Sequence, residues 1–91
     1  MRYRASSRFD RSLRRLDPVR KARVKAAIEQ LVAAFETGEL PHGLGLTRLP
    51  RGLWEIRAGL SDRVIFQRTG ALVEFLLVGN HDEITRFLRA M

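Results

Sequence analysis

Residues 53–66 read LWEIRAGLSDRVIF, and this stretch decides the fold. Apolar and polar residues alternate on both sides of Gly59-Leu60-Ser61, the pattern of two short strands joined by a tight turn. Trp54 and Ile56 fall on one face, and Glu55 and Arg57 on the other. Across the hairpin, Val64 and Phe66 are the matching core residues, and Arg63, Ile65 and Gln67 alternate with them. This pattern places Arg57 and Arg63 on one open sheet face, and a one-residue slip in register would exchange the faces.

The two-residue period continues on either side. Residues 43–50, GLGLTRLP, and 71–78, ALVEFLLV, are further β runs, set off by Pro50-Arg51-Gly52 and Thr69-Gly70. Connections this short predict a four-stranded antiparallel meander. The nearly continuous apolar run 71–78 belongs in the sheet's interior. Upstream, residues 7–37 read as an αα-hairpin. Ser7, three residues before Asp10, suggests a capping box. Phe9, Leu13 and Leu16 form the first stripe. Asp17-Pro18 breaks the helix and starts a second one. There Val24, Ala27, Ile28, Leu31, Val32 and Phe35 keep the helical period up to a stop at Gly38. Residues 1–5, MRYRA, suit a short strand with Tyr3 and Ala5 turned inward. Residues 80–91 form a short closing helix capped by Asn80, with Glu83 reciprocating. The expectation is one α+β domain over residues 1–91, with an N-terminal strand, an αα-hairpin, the meander and a C-terminal helix.

The chain has 91 residues and a formal charge of +7. The excess is uneven: residues 1–25 hold 10 basic and 2 acidic residues, whereas residues 26–91 hold 7 and 8. A basic face this dense predicts a polyanionic target or an acidic protein partner, or else a solvated helix face. Having no cysteine rules out disulfides, Cys-ligated zinc and a thiolate nucleophile, and two His do not make a multi-His metal centre. No P-loop, dinucleotide turn or G-x-S-x-G occurs, and the acids are scattered. No apolar run reaches membrane length, and MRYRASSRF is too polar for a signal-peptide core. We expect a cytoplasmic protein without metal or cofactor, whose chemistry, if any, is acid–base work on a phosphodiester.

Two strand arginines can clamp a phosphodiester and stabilise the charge that develops in phosphoryl transfer. The competing reading makes Glu55, Arg57 and Arg63 surface cross-strand ion pairs. His81, just past the last strand, suits proton transfer, or else simply joins the cap of the last helix. His42 reads as surface loop. Phe87, flanked by Arg86 and Arg89, would stack on a base or pack the last helix on the sheet.

Together, the basic hairpin, G-L-W-E-I-R, D-R-V-I-F and V-G-N-H-D-E-I-T-R-F-L resemble the RelE/ParE toxin superfamily of type II toxin–antitoxin systems, in its RelE/YafQ-like branch. The resemblance implies a ribosome-dependent mRNA endonuclease that inhibits translation and is itself inhibited by an acidic antitoxin, with operator DNA bound only through the antitoxin. It implies metal-free attack by the 2′-hydroxyl on the adjacent phosphate. It makes Arg57 and Arg63 phosphate clamps, His81 the general acid or base, and Asp62 a group that orients a base or contacts RNA. Arg48, Glu55, Arg86 and Phe87 become RNA-binding residues. The base-stacking aromatic of several members falls nearest Thr85 here, with Phe87 two residues later. The alternatives within the superfamily are a ParE-like DNA gyrase inhibitor and an inert antitoxin-binding module.

Overall fold

A computed structural model describes residues 1–91. In chain order the elements are β1 (Arg2–Ala5), α1 (Ser7–Arg14), α2 (Pro18–Thr37), β2 (Thr47–Arg48), a 3-10 turn (Pro50–Gly52), β3 (Leu53–Ala58), β4 (Asp62–Thr69), β5 (Leu72–Gly79) and α3 (His81–Arg89). All strands join one sheet in the order β1-β5-β4-β3-β2. β2 to β5 form the expected antiparallel meander. β1 returns beside β5 in parallel, with Ala5 opposite Phe75, so β5 is interior.

Local chemistry sets the helix ends. Asp17 accepts a hydrogen bond from the Arg20 amide at 2.9 Å, Pro18 opens α2, and Gly38 closes it in the left-handed region at φ 78°. The cap of α1 is one residue earlier than the sequence suggested. Ser6, not Ser7, accepts from the Phe9 amide at 3.0 Å. β1 also ends at Ala5, which leaves Ser6 free to begin the turn.

The αα-hairpin covers one sheet face. Phe9, Leu16, Val24, Ala27 and Leu31 pack there on Ile56, Val64, Phe66, Val73 and Phe75, within a cluster of 13 buried residues. A second cluster of 4, Leu53, Ile65, Leu77 and Ile84, holds α3 on the opposite face. Each such side chain contributes roughly 1.5–3 kcal/mol on burial, so the hairpin side carries the fold and α3 is the more lightly held element.

Two expectations are corrected. The run 43–50 shrinks to a two-residue strand, because Gly43 and Gly45 adopt φ of 85° and 65° and turn the chain. Leu44 between them plugs the core at 2% exposure. Tyr3 and Ala5 are exposed, since β1 is an edge strand. Tyr3 still stacks on Phe75, with ring centroids 6.4 Å apart.

Candidate functional site

The register of β3 and β4 sets Arg57 directly opposite Arg63, and β5 continues the row with Gly79 opposite Arg63. Adjacent strands lie about 4.8 Å apart, so this row spans about 10 Å from Arg57 to Gly79. A bulge positions its last member. Ile65 pairs with Leu77 but Phe66 with Phe75, so Leu76 is an extra residue on β5. The extra residue turns Leu77 and Gly79 toward the α3 face and Val78 toward the hairpin.

Two residues beyond Gly79, His81 is the exposed first residue of α3. The capping box sets its backbone: Asn80 accepts from the Glu83 amide at 2.9 Å, and Glu83 accepts from the Asn80 amide at 3.0 Å. Glu55, one residue pair away from the arginine row, is buried to 8% exposure, and its carboxylate accepts from Arg63 Nη1 at 3.1 Å. Glu55 thus orients Arg63 and neutralises part of its charge. Arg57 makes no such bond, and its stem runs along Gly45. The arrangement can therefore hold an anion on this face, near the start of α3.

Asp62 is not on this face. It alternates with Arg63 and points to the hairpin side, 2% exposed, where both carboxylate oxygens accept from Arg20: Nε at 2.8 Å and Nη2 at 2.6 Å. The Asp62 carboxylate, chiefly by this hydrogen bond, pushes the Arg20 pKa up further above its usual value. Asp62 is therefore a tie between α2 and β4, a correction to its reading as a catalytic group. Arg48 pairs in register with Trp54, and its guanidinium carbon lies 5.8 Å from the indole centroid, on the face away from Arg63. Phe87 packs under α3, and Arg8 sits 4.8 Å above its ring, so one ring face is already covered.

Arg86 lies in a second feature that the sequence did not reveal. Between α1 and α3, beyond the end of β1, runs a groove of about 650 Å³ lined by Arg8, Arg11, Arg15, Arg20 and Arg86. Arg20 is engaged by Asp62, and the groove's one carboxylate, Glu83, is taken up by the capping box. Arg11, Arg15 and Arg86 have no ion-pair partner. The helical spacing of residues 8, 11 and 15 was visible in the sequence, but their meeting with α3 was not.

Nowhere do three His, Asp or Glu side chains gather as metal ligands, and no helix is long and apolar enough to cross a membrane. Neither a protein-family model nor a curated protein matches the sequence. Solved structures do. YafQ from E. coli, in its complex with DinJ, superimposes with a TM-score of 0.73 at 19% identity, over 92% of this chain and 98% of YafQ. A chain of the RelB–RelE antitoxin–toxin complex from Methanococcus jannaschii gives 0.69 at 18%, over 91% and 95%. A YoeB/ParE toxin from Agrobacterium tumefaciens gives 0.68 at 17%, over 89% and 99%. At such identities the likeness establishes the fold, which is that of the RelE and ParE toxins.

Proposed function

We propose that this chain, built on the RelE/ParE-type fold, is the toxin of a type II toxin–antitoxin pair and acts as a ribosome-dependent mRNA endonuclease. The observation that carries the reading is the row of Arg57, Arg63 and Gly79, with His81 just beyond it. A phosphodiester laid on this row meets two guanidinium groups suited to bidentate contacts. In the reaction the substrate's own 2′-oxygen bonds to phosphorus as the P–O5′ bond breaks. The 2′-hydroxyl proton leaves to a base, and the 5′-oxygen gains a proton. His81 performs one of these two transfers. Arg57 and Arg63 stabilise the added charge on the phosphoryl oxygens. Glu55 holds Arg63 in position, and Asp62 acts only through the scaffold. Arg86 and the α1 arginines take RNA phosphates or an acidic antitoxin, and Arg48 meets RNA only where a strand passes the β2 edge. Phe87 works through packing and through Arg8.

Expression without antitoxin should arrest growth and leave new ends in translated mRNA, mapped by primer extension. His81→Gln and Arg63→Ala should each remove the cuts. Full toxicity and cutting in both variants would refute the site. A second reading draws on one observation: Arg63 already has a carboxylate partner and His81 is exposed. In that case the chain acts by binding alone, as a gyrase inhibitor or an antitoxin-binding module. Intact mRNA with inhibited supercoiling, or with no growth effect, identifies these outcomes.

A further inference from the structure

The arginine row has a neighbour at its outer end. β2 pairs Thr47 with Glu55, and the same register carried back two residues sets Gly45 beside Arg57. The Arg57 amide donates to the Leu44 carbonyl at 2.8 Å, so the chain stays against β3 there although regular pairing has ended. Leu44 and Leu46, like Ile56 and Ala58, pack in the hairpin-side cluster. Gly45 and Arg57 alternate with them and share the opposite face, that of Arg63.

A Cβ on Gly45 would fall 2.8 Å from Arg57 Cγ, 2.9 Å from its Cδ and 3.1 Å from its Nε. The stem of Arg57 thus lies in the space that a side chain at residue 45 would take. The reason for this placement is electrostatic as well as steric. Like charges directly opposite each other on paired strands repel, and Arg57 faces Arg63. Arg63 is drawn to Glu55, at 3.1 Å. No carboxylate pairs with Arg57, and the room over Gly45 is what lets its stem lean away. The loop is held from behind. Leu44 is buried to 2% exposure, and the Gly45 carbonyl accepts from the Thr47 hydroxyl at 3.1 Å. A Cβ at residue 45 must therefore be met by Arg57. Carbon atoms in contact sit about 3.5–4.0 Å apart, so the stem would shift by roughly 1 Å.

We propose that Gly45 is a positioning residue, whose missing side chain seats the Arg57 stem and so sets where its guanidinium meets the scissile phosphodiester. The effect on cleavage rests on the nuclease reading, whereas the placement of Arg57 rests on the geometry alone.

The test compares Gly45→Asn with Gly43→Asn. Both glycines have positive φ, 65° and 85°, and Asn is among the residues that tolerate this region. Nothing lies within 4 Å of the Cβ position of Gly43, so both variants carry a similar backbone burden and only Gly45→Asn meets Arg57. NMR of the arginine Nε–H groups in the free full chain reads the placement, the Arg57 signal being the one that Arg57→Ala removes. Gly45→Asn should move this signal, and Gly43→Asn should leave it in place. Cutting of translated mRNA on the ribosome, at saturating toxin, reads the consequence. Gly45→Asn should slow it about 10- to 100-fold, since a misplacement of about 1 Å can cost about 10²-fold, with ribosome affinity unchanged. Gly43→Asn should match the wild type at equal folded fraction. Arg57→Ala should cost about 10²–10³-fold, and adding Gly45→Asn to it should cost nothing more. An unmoved Arg57 signal in Gly45→Asn would overturn the proposal. So would equal slowing by both glycine variants, unchanged cutting by Gly45→Asn, or a further loss on top of Arg57→Ala. A wild-type chain that cuts no mRNA removes the nuclease reading but not the placement, which the Arg57 signal then decides alone.

Discussion

Removing Asn80 tests the link between the cap of α3 and the placement of His81. Asn80→Ala deletes the acceptor for the Glu83 amide, at 2.9 Å, and leaves the reciprocal bond of 3.0 Å without its partner's support. An N-cap of this kind contributes typically about 1 kcal/mol. At about 2.1 cal/mol/K per residue, the unfolding entropy of a chain of 91 residues is about 0.19 kcal/mol/K. The expected fall in Tm is therefore about 5 °C, read by circular dichroism. Glu83→Ala should cost less. Because the two residues form one box, the double variant should fall short of the sum by at least about 0.5 kcal/mol. Cleavage, followed by primer extension at a temperature where both proteins are folded, should drop further than the folded fraction does. The cause is that His81 is the first residue of the frayed turn. A Tm change under about 1 °C, strictly additive variants, or unchanged cleavage would refute the reasoning.

Other consequences can be checked separately. Arg20→Ala leaves the Asp62 carboxylate buried without its only charged partner and should sharply lower Tm, whereas Arg20→Met with Asp62→Leu should recover most of the loss by apolar packing. Arg11→Glu with Arg15→Glu should weaken binding of an acidic antitoxin and flatten its salt dependence, measured by calorimetry at two ionic strengths. Phe87→Leu keeps the site apolar and should cost no more than about 1.5 kcal/mol of stability, read by circular dichroism, and unchanged cleavage by that variant would place base stacking elsewhere. Tyr3 is the only tyrosine, and although it is largely exposed, partial desolvation, helped by nearby Glu36, pushes its pKa up from 10.0. Its neutral form is thus favoured in the fold. The contribution to stability is complete below the unfolded pKa and disappears as pH rises through the folded one. Phenolate absorbance should appear at higher pH in the native protein than in denaturant.

The structural likeness to YafQ and RelE chains comes with little shared sequence. What the folds share is therefore an arrangement of apolar faces and turns, which many side chains satisfy. Function must be read from the site, and the arginine row and the basic groove between α1 and α3 are properties of this chain's own residues.

By itself the sequence determined the longer elements and their faces, the helical hairpin and β3 to β5, because those depend on local periodicity and on chemistry within a few residues. The alternation around Gly59 to Ser61 set Glu55, Arg57 and Arg63 on one face, and Asp17-Pro18 and Asn80 with Glu83 fixed the helix starts. The tertiary structure decided everything that needs two distant segments to meet. The parallel return of β1 beside β5, and the bulge at Leu76 that re-aims Gly79 and His81, leave no local mark. Asp62 also read as part of the site, as the family resemblance implied. Only folding brings Arg20, 42 positions away, onto its two oxygens. A buried carboxylate must be paired, and which cation pairs with it is a matter of packing, not of neighbourhood in the chain.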